Sequence, residues 1–216
     1  MKPNIPYKIE LVLNRKKFSK YAYNVFVEKT ADKNNASNER LQAKWEADVG
    51  EYTEGSLKKI NMATTATYLI YIHFRIINRI YATNKYLFNI KILQHNRCSF
   101  CNRATETICH LFWHCSITQI FIKEILSHLR MEYNTSMNIN PVNWFLLTDL
   151  AKIEIIVVTL MKANIHKSRL KLAKPSVQVM LQSLKFEATK EYNIAKSYNK
   201  MSVFEGKWGE LRRLLS

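Results

Sequence analysis

Four cysteines and two histidines crowd into residues 98–115, CSFCNRATETICHLFWHC, and these are all the cysteines of the chain. The spacing Cys98-x2-Cys101-x8-His110-x4-Cys115 fits a tetrahedral metal site. Two thiolates two residues apart can face one ion across a tight turn, and a following His and Cys complete the shell. Filling all four positions with protein donors leaves no site for an activated water, so the ion reads as structural. Three thiolates, a neutral imidazole and Zn2+ sum to one negative charge, which Arg97 and Arg103 stand near enough in sequence to offset. Two other donors compete: His114 shares a helix face with His110, and Cys109 adjoins it. Residues five apart on an ideal helix are rotated by about 140°, so His110 and Cys115 can meet at one metal only if the helix tightens or ends. The spacing therefore predicts an irregularity between Trp113 and Ser116. A redox Cys-x-x-Cys would need a βαβ setting, which this chain does not suggest.

The elements that must position the cluster read as helices. Glycine and proline number only 4 each in 216 residues, too few to punctuate strands and tight turns. Helices are expected over 7–29, with a basic cluster at Arg15, Lys16, Lys17 and Lys20, and within ERLQAKWEADVG, where Leu41, Trp45 and Val49 lie a turn apart before Gly50. Between them TADKNNASN reads as a polar linker. From Thr65 to Tyr81, Leu69, Ile72, Ile76 and Ile80 form one stripe, with Arg75, Asn78 and Arg79 opposite. SITQIFIKEILSHLRMEY repeats the pattern, and NTSMNINPVNW breaks it. Leu150 to Leu172 is apolar all round in its first half, which predicts a central buried helix. Its second half puts Lys162, His166 and Arg169 on one face. Pro175 begins a further helix carrying Val177, Met180, Leu181, Leu184 and Ala188, and FEGKWGELRRLL closes the chain as an amphipathic tail.

The fold class expected is mainly α, an irregular helical assembly stapled by a small Cys-Cys-His-Cys zinc site. The organisation expected is a basic N-terminal helix and linker at 1–38, a zinc-binding module at 39–135 and a helical tail region at 136–216.

Charge suggests the partner. With 33 Lys plus Arg against 17 Asp plus Glu, the formal net charge is +16, a field that draws phosphate polyanions. No apolar run approaches the ~20 residues a membrane span needs, and no signal peptide is visible, so an intracellular location, nuclear or cytoplasmic, is expected.

FRIINRIYATNKYLFNIKILQHNRCSFCNRATETICHLFWHC resembles the zinc-binding segment C-terminal to the polymerase in reverse transcriptases of LINE-type, non-LTR retrotransposons. Arg79, Ile80, Tyr81 and Thr83 match its Arg-Ile-Tyr-like stretch. Cys98, Cys101, Glu106, Thr107, His110, Leu111, Phe112, Trp113 and Cys115 match its cysteine-histidine pattern. LQAKWEADVG and NPVNWFLL extend the likeness more loosely. The resemblance implies Zn2+, binding of RNA or DNA, no chemistry of the segment's own, and the polymerase portion of a parent protein as a partner. No Tyr/Phe-x-Asp-Asp polymerase motif and no apurinic-type endonuclease occur in these residues. Arg75, Arg79, Tyr81 and Lys85, with Lys162 and Arg169 as a second surface, are the expected nucleic-acid contacts, Tyr81 and Tyr86 offering rings for unpaired bases; taken singly, Tyr81, Tyr86 and Phe88 read more readily as core residues. The alternative function is a protein-interaction or a decayed or domesticated helical zinc domain without nucleic-acid binding. A restriction-like endonuclease follows a similar motif in some such elements, but AKPSVQVMLQSLKFE offers Ser176 where the first carboxylate belongs, leaving Glu187 alone to hold Mg2+.

Overall fold

The computed structural model describes residues 38–52, 55–209 and 211. The expected N-terminal helix at 7–29, and nearly all of the linker, lie outside the described residues. The chain divides into two units between Ala47 and Asp48. The described part of the first is helical, and that helix runs over 38–49, with Gly50 at φ 93° just past its end.

In the second unit the helices are α1 (Ser56–Ala63), α2 (Thr67–Ile77), α3 (Asn84–Asn89), a π-helix (His110–His114), α4 (Ser116–Tyr133), α5 (Pro141–Leu146), α6 (Lys152–Leu170), α7 (Val177–Ser197) and α8 (Met201–Trp208). Among the described residues there is no strand, only an isolated antiparallel bridge between Arg97 and Thr105. The mainly helical reading therefore holds.

Helix α6 is the axis of the unit. It packs against α1, α2, α7 and α8, and every side chain from Ile155 to Ile165 is buried. This is the all-round apolar signature expected of a central helix. The flanking helices are one-sided. Phe121, Ile122, Ile125 and Leu129 of α4 are buried, as are Met180, Leu184 and Ala188 of α7, matching their helical spacing.

The ends of the elements follow from local chemistry. Asn140 and Asn143 form reciprocal side-chain to backbone bonds around Pro141 at the start of α5. Asn134 takes a left-handed conformation at the end of α4. Ser176 caps α7, its hydroxyl accepting from the Val179 N–H.

Helix α2 ends four residues before the sequence pattern suggests. Arg79 sits at φ 55°, and its N–H and that of Ile80 bond back to the Ile76 and Arg75 carbonyls at 3.0 Å each. This is a Schellman motif with arginine where glycine is usual. The stripe therefore stops at Ile76, and Ile80 is 56% exposed. Periodicity continued to Ile80 because a turn of this kind leaves no mark in apolar spacing.

Candidate metal centre

The cysteine segment is built from a turn, a bridge and the π-helix. Residues 96–106 fold back on themselves, with the Cys98 N–H bonded to the Ala104 carbonyl and the Glu106 N–H to the Asn96 carbonyl, both at 2.8 Å. This return holds Cys98 and Cys101 on one tight turn. His110 and Cys115 come from the following helical segment, which widens instead of tightening: the Cys115 N–H reaches the His110 carbonyl five residues back at 2.7 Å. The i to i+5 repeat of a π-helix brings residues five apart over one another, and Cys115 then leaves the helix in an extended conformation. The expected irregularity is present, but it begins at His110 and is a widening, not a tightening.

The four donor atoms of Cys98, Cys101, His110 and Cys115 lie within 4.8 Å of one another. The Cys98 and Cys115 sulfurs are 3.8 Å apart, and the Cys101 sulfur is 3.3 Å from His110 Nε2. Two Zn–S bonds of about 2.3 Å at the tetrahedral angle span about 3.8 Å, so the donor set and its spacing fit one Zn2+. The Cys98 thiol donates to Cys115, which holds the Cys115 thiol below the ordinary thiol range and pushes that of Cys98 up. The rival donors point elsewhere. His114 is exposed, and the Cys109 thiol bonds to Asp48 Oδ2 at 3.3 Å, burial pushing its pKa up to about 12.

Behind the metal turn lies a buried carboxylate that spacing alone did not single out. Glu106 has no exposure. Its oxygens accept from the Ser99 N–H (2.8 Å) and hydroxyl (2.6 Å), from the Asn84 N–H (2.9 Å) and from Arg169 Nε (2.8 Å). Arg169 Nη2 also donates to Asn84 Oδ1 at 2.9 Å, and Asn84 Nδ2 to the Arg97 carbonyl at 2.7 Å. One buried ion pair thus ties the turn between Cys98 and Cys101 to α3 and to α6. A signal existed in the sequence: Glu106 is the one acid between Cys98 and Cys115.

Of the residues expected to touch nucleic acid, Arg75, Tyr81 and Arg169 come together, with the Arg169 guanidinium 5.6 Å from the Tyr81 ring. Lys85 is exposed on α3. Arg75 is half-buried, its guanidinium 5.6 Å from the Tyr71 ring and 5.2 Å from Tyr81. Arg79 pairs with Asp48 at 2.6 Å.

Tyr81, Lys162 and Arg169 are engaged within the fold. Tyr81 is 3% exposed and belongs to the core, edge-on to Phe112 at 5.0 Å, with its hydroxyl 2.8 Å from His166 Nδ1. Lys162 is wholly buried. It points inward because burial of α6 continues past its apolar first half to Ile165, so that His73, Trp144 and Phe145 cover the amine. Arg169 spends its guanidinium on Glu106. Trp113 lies 5.6 Å from the Trp144 ring.

Ser176 serves as the helix cap described above. Glu187 is buried, accepts from the Tyr68 hydroxyl at 3.1 Å and pairs with Lys190.

Residues 53–121 of the chain match a family model described as zinc-binding in reverse transcriptase. The match covers α1, α2, α3, all four candidate ligands and the start of α4. No curated protein and no solved structure shows significant similarity to the chain. Among the described residues no helix is long and apolar enough to cross a membrane.

Proposed function

We propose that this chain is a zinc-stapled, non-catalytic nucleic-acid-binding module of LINE-type, non-LTR reverse transcriptase origin. The observation that carries the reading is the convergence of Cys98, Cys101, His110 and Cys115 within 4.8 Å, inside the segment that matches the reverse-transcriptase zinc-binding model. When bound, the ion would cross-link the turn at 98–101 to the π-helix and supply no reactive position, since four protein donors complete its shell.

Charge supports the second half of the proposal. From Gly55 to Thr105 the chain has no Asp or Glu, and it carries Lys58, Lys59, Arg75, Arg79, Lys85, Lys91, Arg97 and Arg103. Lys58, Lys85, Lys91, Arg97 and Arg103 of that run are exposed, which favours a polyanionic partner.

Two measurements test the proposal. Elemental analysis of reduced, purified protein should give one zinc per chain. Binding to RNA or DNA should weaken with salt, log K falling by about 0.7 for each phosphate neutralised on a single strand per unit of log salt. A metal-free folded protein would overturn the first half of the proposal, and affinity independent of salt the second.

A further inference from the structure

We infer that α3 and the turn after it form a docking site for single-stranded nucleic acid, with Tyr86 and Phe88 as stacking platforms and Lys85 and Lys91 as phosphate contacts. This rests on the nucleic-acid reading above and specifies its site and strand form.

The helix is short and anchored at one end. Thr83 accepts from the Tyr86 N–H at 3.3 Å, and Asn84 is buried, fixed to Glu106, Arg169 and the Arg97 carbonyl. At the other end Lys91 takes φ 61°, and the N–H groups of Lys91 and Ile92 bond back to the Phe88 and Leu87 carbonyls at 2.9 Å each. A second Schellman motif thus sets the exit of the chain.

Between those fixed ends the outer side is open. At 100° per residue, Phe88, Lys85, Asn89 and Tyr86 follow one another around an arc of about 160°, while Asn84 and Leu87 fall on the inner side. All four outer residues are exposed, Tyr86 by 54% and Phe88 by 42%, and Lys91 is exposed beyond them. A lysine therefore stands between two open rings. Ile90 at 46% and Ile92 at 65% exposure extend the apolar surface. Four exposed apolar side chains thus fall within residues 86–92. The absence of any acid between Gly55 and Thr105 selects a polyanion as the occupant.

Unpaired bases suit this chemistry better than a duplex. Rings interleaved with cations bind single strands by stacking on bases of any sequence while the cations follow the backbone, whereas a duplex keeps its base faces stacked within itself. Because Glu106 holds both Asn84 and the turn at Cys98–Cys101, the metal turn and α3 form one preorganised piece.

The test uses the full chain, zinc-loaded, and fluorescence anisotropy of labelled 12-nucleotide oligo(U) and oligo(dT) against a 12-base-pair duplex. The wild type should bind a single strand more tightly than the duplex. Tyr86→Ala and Phe88→Ala should each weaken single-strand binding by roughly 5- to 100-fold. Neither should change the salt slope, since a ring meets no phosphate. Lys85→Ala and Lys91→Ala should each make that slope shallower by about 0.7. Zinc content and helical circular dichroism unchanged from wild type certify the fold of each variant.

If the ring variants bind a single strand as the wild type does, or the duplex is preferred, the site is overturned while the broader reading stands. No binding of the wild type to any of the three probes overturns both. A wild-type dimer in sedimentation that Phe88→Ala dissociates, with oligonucleotide affinity unaltered, would assign the surface to a second copy of the chain instead.

Discussion

Arg169 Nη2 lies 2.8 Å from Glu106 Oε1, and the carboxylate has no solvent exposure while the guanidinium side chain keeps 10%. The pair closes a loop of bonds that includes Ser99, between two candidate ligands, and Asn84, at the start of α3. Removing one member of such a pair leaves the other charged, buried and uncompensated, which costs about 3–5 kcal/mol. Glu106→Ala should therefore lower unfolding free energy by that order, a large share of the ~5–15 kcal/mol that holds a typical domain folded. Glu106→Gln keeps the acceptor facing Ser99 and should cost less. The combination of Glu106→Ala with Arg169→Met should be milder than the sum of the single changes, measured by denaturant unfolding.

Chelation should act locally. The π-helix packs on α4, while α1, α2, α7 and α8 gather on α6 without using a ligand residue. A chelator should therefore abolish the structure around 96–115 and leave most helical circular dichroism in place. Cys98→Ser and Cys115→Ser should both lose the ion, with apparent binding energy on the order of 10 kcal/mol at stake. Cys109→Ser should retain one zinc per chain, because that sulfur faces Asp48. Loss of zinc from Cys109→Ser would show that the donor set is different.

The described helices and the convergence of the four candidate donors were readable from sequence because both depend on short-range spacing. Apolar periodicity found the buried faces of α4, α6 and α7, and the cysteine spacing found donors that a turn and a helix bring together. What escaped depended on which neighbour covers a side chain. Lys162, His166 and Arg169 share a face of α6 as an isolated helix would display it, yet α2 and α5 side chains surround the first and Glu106 receives the last. Tyr81 and Tyr86 are both followed by small or apolar residues in a basic stretch, and only the packing of Phe112 and His166 separates the core ring from the open one.

Arg79 provides a test of backbone against charge. A non-glycine residue at φ 55° is strained by roughly 1–2 kcal/mol. Arg79→Gly relieves that strain and loses the Asp48 pair, a surface interaction worth about 0–1 kcal/mol, so its melting temperature should stay within a few degrees of the wild type. Arg79→Val keeps the strain, adds a β-branched clash and loses the pair, and should melt clearly lower. Equal melting of the two variants would mean that the turn has rearranged.

Lys162 should make stability depend on alkaline pH. Its amine is wholly buried, 3.4 Å from His73 Nδ1 and over the rings of Trp144 at 5.6 Å and Phe145 at 6.0 Å, and among the described residues it forms no ion pair. Burial pushes its pKa down to about 7 from the ordinary lysine value, and burial and the neighbouring amine push His73 down as well. A folded-state pKa below the unfolded one means that the unfolded chain binds the extra proton between those two values, so stability rises with pH across that interval and falls as pH drops back through it. Below pH 7 both states hold the proton and the dependence on this group flattens. The interval of about 3 pH units corresponds to an effect on the order of a few kcal/mol. Denaturant unfolding at pH 7 and pH 9 should therefore show the wild type gaining stability toward pH 9. Lys162→Met, which keeps the length and removes the charge, should be more stable than the wild type at pH 7 and show little of that gain. A wild type whose stability is the same at both values would place the lysine's proton on the amine in the folded state, held there by the aromatic faces of α5.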